Sequence, residues 1–288
     1  MWVLKLFSIS FLIYNSANVY GRVRFIFTKN YYDLYRIKRK YRIQEDQLEA
    51  LLQSRFKYFK HLSSSGRNKC MARIWKIFNK IEFVGYQGIE ITDEIKFCVL
   101  FSKIQLTFGL NNFRFKKFEK IILYPESFYS KFFERELKGL TSNSGFITLS
   151  WEDFEHGYFI HNDKFNLGLH EMAHALRLEL DSRNIPGKMD IYNDRLDRHA
   201  WNEMNLTERE TPDVLREYAK TNDEEFFAVC VEYFFEVPDL LRDLKPEIYD
   251  TLSKLLNQDP LNIHNDYKRN PEFSKSSYGS TGQRAAEV

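Results

Sequence analysis

The stretch Asn166-Leu167-Gly168-Leu169-His170-Glu171-Met172-Ala173-His174-Ala175-Leu176 places two histidines and a glutamate inside an otherwise apolar run. A helix built from it has almost no polar side, because Leu167, Leu169, Met172, Ala173, Ala175 and Leu176 surround the motif. Such a turn must be buried. Buried polar side chains need partners. The HExxH spacing supplies one. His170 and His174 share a helix face and can both reach one zinc ion, while Glu171 stands beside them to take a proton from water. With 7 His in 288 residues, chance yields about 0.01 such matches. The plain alternative is a core helix whose histidines are hydrogen-bonded to neighbours, and spacing and burial together weigh against it.

Two imidazoles leave zinc under-coordinated, so a third ligand is expected downstream on a helix that can pack beside the first. Glu225 is the candidate. It precedes six consecutive apolar residues, Phe226-Phe227-Ala228-Val229-Cys230-Val231, which cover a whole helix circumference and force the element inside. An acid at that place is costly unless a metal or cation compensates it. The competing reading makes Glu225 half of a capping box with Asn222 as the N-cap. Glu232, seven residues on, shares the face of Glu225. It either orients a metal-binding imidazole or pairs with an arginine.

The remainder of the chain sets the frame. A 43% hydrophobic and 28% charged composition with 12 Gly and 7 Pro is that of a folded globular protein. A formal net charge of +2 is too small for a dedicated nucleic-acid binder. Three widely spaced cysteines offer neither a disulfide framework nor a CxxC site, which fits a reducing compartment. At the amino end, an apolar opening is followed by a basic cluster from Arg22 to Arg42. Residues 1–20 are read either as a membrane anchor, with its basic flank cytoplasmic, or as a helix packed on the domain. A secretory signal would carry its charge before the apolar run. Both readings leave the chain in the cytoplasm, soluble or tethered to the inner face of the membrane. Residues 21–267 are expected to form the main domain with an N-terminal helical part, and 268–288 a disordered tail.

Periodicity predicts helices over 44–62, ending at Ser63-Ser64-Ser65-Gly66, and again through Met71, Ile74, Trp75, Phe78 and Ile81. A turn at 85–88 and a strand at 89–91 should precede a helix opened by Thr92. Residues 120–124 and 146–151 read as strands. Helices should follow over 164–180, 190–202, 222–235 with Pro238 as its stop, and 246–256.

Taken together, Gly88-Ile89-Glu90-Ile91-Thr92-Asp93-Glu94, Leu123-Tyr124-Pro125, Leu149-Ser150-Trp151, the HExxH segment and 221–235 resemble, in order, the Mlc titration factor A family of zinc metallopeptidases. The core of that family is similar to the peptidase domain of anthrax lethal factor. The resemblance covers roughly residues 80–240. It implies an α+β, zincin-like fold of the gluzincin type, with a small sheet packed on the HExxH helix, and one zinc held by His170, His174 and Glu225. It also implies that Tyr218, seven residues before Glu225, stabilises the oxyanion; without the resemblance it would be read as a core tyrosine. Strand 146–151 is then expected nearest the cleft, where an extended peptide could pair with its edge. The implied activity is hydrolysis of a peptide or protein substrate with Glu171 as general base. The alternative is a zinc-containing protein that binds and sequesters a transcriptional regulator. One departure is Arg177, which follows Leu176 where the family often has Asp. His156 and His161 are read as substrate contacts or solvated loop residues, and His61, His199 and His264 as surface residues.

Overall fold

Helix α1 (Glu45–Arg55) opens the part of the chain that the computed structural model describes, namely residues 45–182, 188–205, 215 and 217–269. The chain divides into two units, Met1–Gln47 and Leu48–Val288, and the fold below is that of the second. The expected anchor at 1–20, the segment 21–44 and the tail from 270 lie outside the described residues. Among those described, no helix is long and apolar enough to cross a membrane.

The helix expected over 44–62 is broken at Phe56 into α1 and a short α2 (Lys57–Lys60). The serine run that was expected to end it begins the next helix instead, α3 (Ser64–Phe78). Ser63 is the reason: its hydroxyl accepts from Gly66 N as an N-cap, and Asp266 holds its N–H (2.6 Å) and hydroxyl (2.7 Å). The first strand also differs from expectation. It is β1 (Glu82–Gly85), before the turn, and residues 89–91 are not a strand. Gln87 (φ 51°) and Gly88 (φ 84°) fold the chain back so closely that a Cβ on Gly85 would lie 2.5 Å from Ile89 O. Thr92 then caps α4 (Asp93–Leu106), which is buried on nearly every side.

Strands β2 (Lys120–Tyr124), β3 (Phe128–Ser130), β4 (Arg135–Leu137), β5 (Gly139–Ser142) and β6 (Phe146–Ser150) follow. The main sheet has the order β1-β2-β6-β5; β1, β2 and β6 run parallel, and β5 is antiparallel to β6. The pair β3–β4 forms a separate hairpin. Strand 146–151 was expected to offer its edge to a cleft, but β6 is interior and β5 is the edge. Gly145 (φ 93°) closes the tight turn that folds β5 onto it.

After α5 (Trp151–Phe159) come α6 (Leu167–Ser182), α7 (Lys188–Asn205), a 3-10 turn (Glu217–Lys220), α8 (Asp223–Glu236), α9 (Pro238–Leu244) and α10 (Pro246–Leu256). Pro238 does not merely stop α8. It starts α9 from N1, where its missing N–H costs nothing. The HExxH helix α6 packs on β5 and β6 with one side and on α4 and α8 with the other. Phe97, Phe101, Met172, Phe226, Phe227 and Phe234 of these helices are all buried in the core.

Near its end, α6 also fastens the lysine-rich connection before β2. Buried Glu179 accepts from Lys116 N and Lys117 N, each at 3.0 Å. Glu179→Ala would leave these two amides without that acceptor, and should lower stability by about 2 kcal/mol in urea unfolding without changing metal content. An unchanged midpoint would show that water replaces the carboxylate.

Candidate metal centre

Asn166 fixes the start of α6. Its Oδ1 accepts from Leu169 N (3.0 Å), its carbonyl from His170 N (2.9 Å), and its amide donates to Gly157 O and to Glu236 Oε1 of α8 (both 3.0 Å). One turn later α6 presents His170, 7% exposed, toward α8 and Glu171, 4% exposed, toward β5. Asn222 caps α8 as expected, its Oδ1 accepting from Glu225 N at 2.8 Å. The Glu225 carboxylate, however, turns to the imidazoles: Oε2 lies 3.2 Å from His170 Nε2 and 3.5 Å from His174 Nε2. The two Nε2 atoms are 3.1 Å apart.

These distances can be tested against a metal. Zinc bonds of about 2.0–2.1 Å in tetrahedral geometry put neighbouring ligand atoms ~3.3 Å apart. The observed separations of 3.1, 3.2 and 3.5 Å bracket that value. Moreover, Glu225 Oε2 is buried yet makes no hydrogen bond of normal geometry. Two imidazole nitrogens and one carboxylate oxygen form a donor set suited to zinc. Among the described residues, this is the group of such side chains whose ligand atoms lie within 4.8 Å of one another.

Glu232, 2% exposed, pairs with an imidazole. Its Oε1 is 2.6 Å from His170 Nδ1, and its Oε2 accepts from Asn166 N at 2.7 Å. Donation from Nδ1–H to Glu232 leaves the Nε2 lone pair directed at Glu225 and His174. Without a metal, burial pushes His170 down, but the Glu232 and Glu225 carboxylates outweigh it and raise the imidazole to about 10. Burial alone would raise Glu225, yet the His170 and His174 imidazoles beside it hold it well below the usual carboxylate range. A metal entering here displaces a proton.

Glu171 is held from the other side, by β5. Thr141 Oγ1 is 2.7 Å from its Oε2 and 3.0 Å from its backbone oxygen. Burial raises its pKa, against the pull of both histidines and Thr141. Gly139 makes the fit possible, since a Cβ there would sit 2.3 Å from Glu171 Oε1. Neither Gly139 nor Thr141 carries a signal in the sequence, because a four-residue edge strand has no hydrophobic alternation to betray it.

Tyr218 belongs to the 3-10 turn that leads into α8. Its side chain lies outside the described residues. Arg177, 6% exposed, hydrogen-bonds Asp197 of α7 and lies 3.7 Å from Asp223 in the first turn of α8. This cation ties the HExxH helix to the helix end that carries Glu225. A cleft of ≈ 710 Å³ opens over the group, lined by His170, Glu171, Gly139, Asp153, Phe165 and His156. His156 thus faces the cleft, with Nδ1 3.9 Å from Asp163, whereas His161 lines a different cavity.

This geometry meets independent comparisons. The family described as glucose-regulated metallo-peptidase M90 matches residues 32–256. The Mlc titration factor A of Serratia proteamaculans is 30% identical over 213 residues, covering 65% of this chain and 78% of the relative. That of Klebsiella pneumoniae is 27% identical over 228 residues, covering 70% and 82%. Uncharacterized protein slr2042 of Synechocystis is 24% identical over 241 residues, covering 74% and 84%. The match over most of the chain and these relatives establish that it belongs to the M90 family of metallopeptidases, the family of the Mlc titration factor A proteins.

Proposed function

We propose that the chain is a zinc-dependent peptidase of the gluzincin type, in which His170, His174 and Glu225 hold one zinc, Glu171 is the general base and Tyr218 the oxyanion donor. The observation that carries this reading is the convergence of two Nε2 atoms and an otherwise unsatisfied carboxylate oxygen at separations of 3.1–3.5 Å. When bound, zinc supplies Lewis acidity, polarising a carbonyl and lowering the pKa of water. Glu171 accepts a proton from the attacking water and returns it to the leaving amine. Thr141 and Gly139 hold its carboxylate for that transfer. Glu232 fixes the His170 ring. The role of Tyr218 rests on the family resemblance and on its seven-residue spacing before Glu225.

Substrate entry is assigned to β5, not β6. Among the described residues, β5 has a strand partner only on its β6 side, and its residues Gly139 and Thr141 touch the general base. An extended peptide pairing there lies beside Glu171. The peptidase domain is taken as 21–267, which contains the family match at 32–256. Buried thiols at Cys70 and Cys98 favour the cytoplasm. A second reading, a zinc-containing protein that sequesters a transcriptional regulator, draws support from the relatives' name, Mlc titration factor A. Capture of a regulator and peptidase activity can coexist, and Glu171 separates them.

The purified protein should contain one zinc per chain, and Glu225→Ala should lose it together with the stability that binding adds. Full occupancy in that variant, by elemental analysis, would remove Glu225 from the ligand set. Glu232→Gln should keep the fold and weaken zinc binding about tenfold or more in a chelator competition, because the His170 ring loses its anionic partner.

Glu171→Gln should retain zinc and any regulator binding while losing on the order of a hundredfold or more in peptide hydrolysis. Tyr218→Phe should lose about a hundredfold with zinc retained. Gly139→Ala should act through the base as well, lowering kcat and the melting temperature together, since the added methyl would lie 2.3 Å from Oε1, 2.7 Å from Cδ and 2.8 Å from Cγ of buried Glu171. Wild-type rates in Glu171→Gln would place the activity elsewhere and leave the sequestering reading.

A further inference from the structure

One short segment, residues 161–166 between α5 and α6, borders two cavities. His161 and Asn162 line a pocket of ≈ 720 Å³, whereas Asp163, Phe165 and Asn166 line the cleft over His170 and Glu171. The segment is thus a wall of the metal cleft. Its backbone does not keep that course unaided, because Asn162 (φ 74°) and Lys164 (φ 70°) both lie in the left-handed region. Asparagine enters that region readily and lysine does not, and each such residue costs on the order of 1 kcal/mol unless its surroundings fix it.

The surroundings do fix it. From α5, Gly157 O accepts from Asn166 Nδ2 at 3.0 Å, and the approach is so close that a Cβ on Gly157 would lie 2.9 Å from Asn166 Cα. From α8, Glu236 takes two bonds at once: Oε2 accepts from Asn162 N and Oε1 from Asn166 Nδ2, each at 3.0 Å. One carboxylate therefore pins both ends of the stretch that contains the two left-handed residues. Burial pushes its pKa up to about 7, against the pull of these donors.

The pinned wall presents a ring to the cleft. Asp163 is already engaged, its Oδ1 accepting from Phe165 N at 3.0 Å and its Oδ2 lying 3.9 Å from His156 Nδ1. Asn166 is committed to α5, α6 and α8. Of the three wall residues on the cleft side, Phe165 is the one that offers exposed apolar surface, at 55%. An aromatic face in a cleft gains affinity by covering an apolar group of whatever binds there.

We propose that Phe165 contacts an apolar side chain of the bound peptide and that Glu236, through Asn162 and Asn166, is the positioning residue that holds Phe165 in place. The substrate role of Phe165 rests on the peptidase reading; the hold of Glu236 on the wall does not. Neither residue belongs to the metal ligands or is the general base, so both act on substrate affinity and leave the chemical step unchanged.

Three substitutions test this. Glu236→Met keeps the length of the side chain but accepts neither bond, Glu236→Gln keeps one acceptor, and Phe165→Ala removes the ring. Rates are measured at pH 8, where the Glu236 carboxylate is mainly ionised, on a quenched fluorogenic peptide chosen from a library digest by the wild-type protein. Glu236→Met should raise KM about tenfold with kcat within about twofold and zinc content unchanged, the sign of lost uniform binding. Glu236→Gln should fall between Glu236→Met and wild type, and carries the comparison if Glu236→Met melts. Phe165→Ala should raise KM by a similar factor, and adding Glu236→Met to it should raise KM less than about twofold further, because residues acting through one contact are not additive. Sites cleaved in the library should share a large apolar residue at one fixed position, a preference that Phe165→Ala flattens. Hydrogen exchange by mass spectrometry needs no substrate, and should show the amides of 160–166 exchanging about tenfold faster in Glu236→Met. Unchanged exchange, loss of zinc, a fall in kcat at constant KM, additive effects in the double variant, or a site preference untouched by Phe165→Ala would each overturn the proposal with the peptidase reading intact. If the zinc-loaded wild type cleaves no library peptide, the peptidase reading itself falls, and the substrate role of Phe165 with it.

Discussion

The packing of α6 on α8 is the constraint on which the rest of the structure depends. It brings Glu225 and Glu232 together with His170 and His174, beside Glu171, on two helices whose Leu169, Met172, Ala173, Phe227 and Ala228 are buried in the core. Charges buried in such surroundings at best offset their desolvation, and apolar residues of similar volume would hold the helices together at least as well. The cluster therefore does not exist to stabilise the interface. Three carboxylates facing two imidazoles leave an excess of negative charge, which a divalent cation held among His170, His174 and Glu225 would remove. Stability and metal binding would then be one free energy, because the proposed ligands come from two helices that meet only in the folded chain.

Such a site tolerates little play, and α8 is accordingly fastened near both ends. Near its start, Asp223 faces Arg177 of α6, and Arg177 also binds Asp197 of α7. At its end, Glu236 accepts from the loop at Asn162 and from Asn166. Glu225 and Glu232 project between these ties, seven residues apart on one face. Asn166 serves both helices, capping α6 through its Oδ1 and giving its backbone N–H to Glu232. The groups that position the imidazoles are thus themselves held by hydrogen bonds, which is what a metal site requires of its surroundings. Arg177 makes the tie to α7 and α8 as a cation; Asp197, Asp223 and Asp181 supply the opposite charge.

What could be read from sequence follows from how local each signal is. The HExxH helix, Thr92 as the cap of α4, β2 at 120–124 and Asn222 as the cap of α8 all depend on residues within a few positions of one another, and the structure has them. For Glu225 two local readings competed, cap or metal-facing acid. Only the approach of α6 decides that its carboxylate leaves the cap, whose work Asn222 does alone. The same contact gives Glu232 an imidazole. The failures are equally physical. Ser63-Ser64-Ser65-Gly66 reads as a breaker until Asp266, some two hundred residues on, turns Ser63 into a helix cap. β1 was placed after its turn because its partner β2 lies beyond a whole helix. β5 is Gly139-Leu140-Thr141-Ser142, with a single large apolar residue, and nothing in its own composition marks it as the edge of a sheet.

That edge couples recognition to chemistry. β5 is joined to β6 by regular pairing from Gly139↔Leu149 to Ser142↔Phe146, and β6 is the buried strand that packs on α6. The position of β5 is therefore set by the core, while its outward side is available to an extended chain. The side chain of Thr141 and the bare backbone of Gly139 meet Glu171 from that same strand. In the peptidase proposed above, a peptide that adds to β5 would take its register from the strand that also holds Glu171, so the distance from scissile bond to carboxylate would be fixed by backbone pairing and not by flexible side chains. The short, half-buried character of β5, which made it invisible as a strand, is what a surface needs if it must be rigid enough to position Glu171 and open enough to accept a partner.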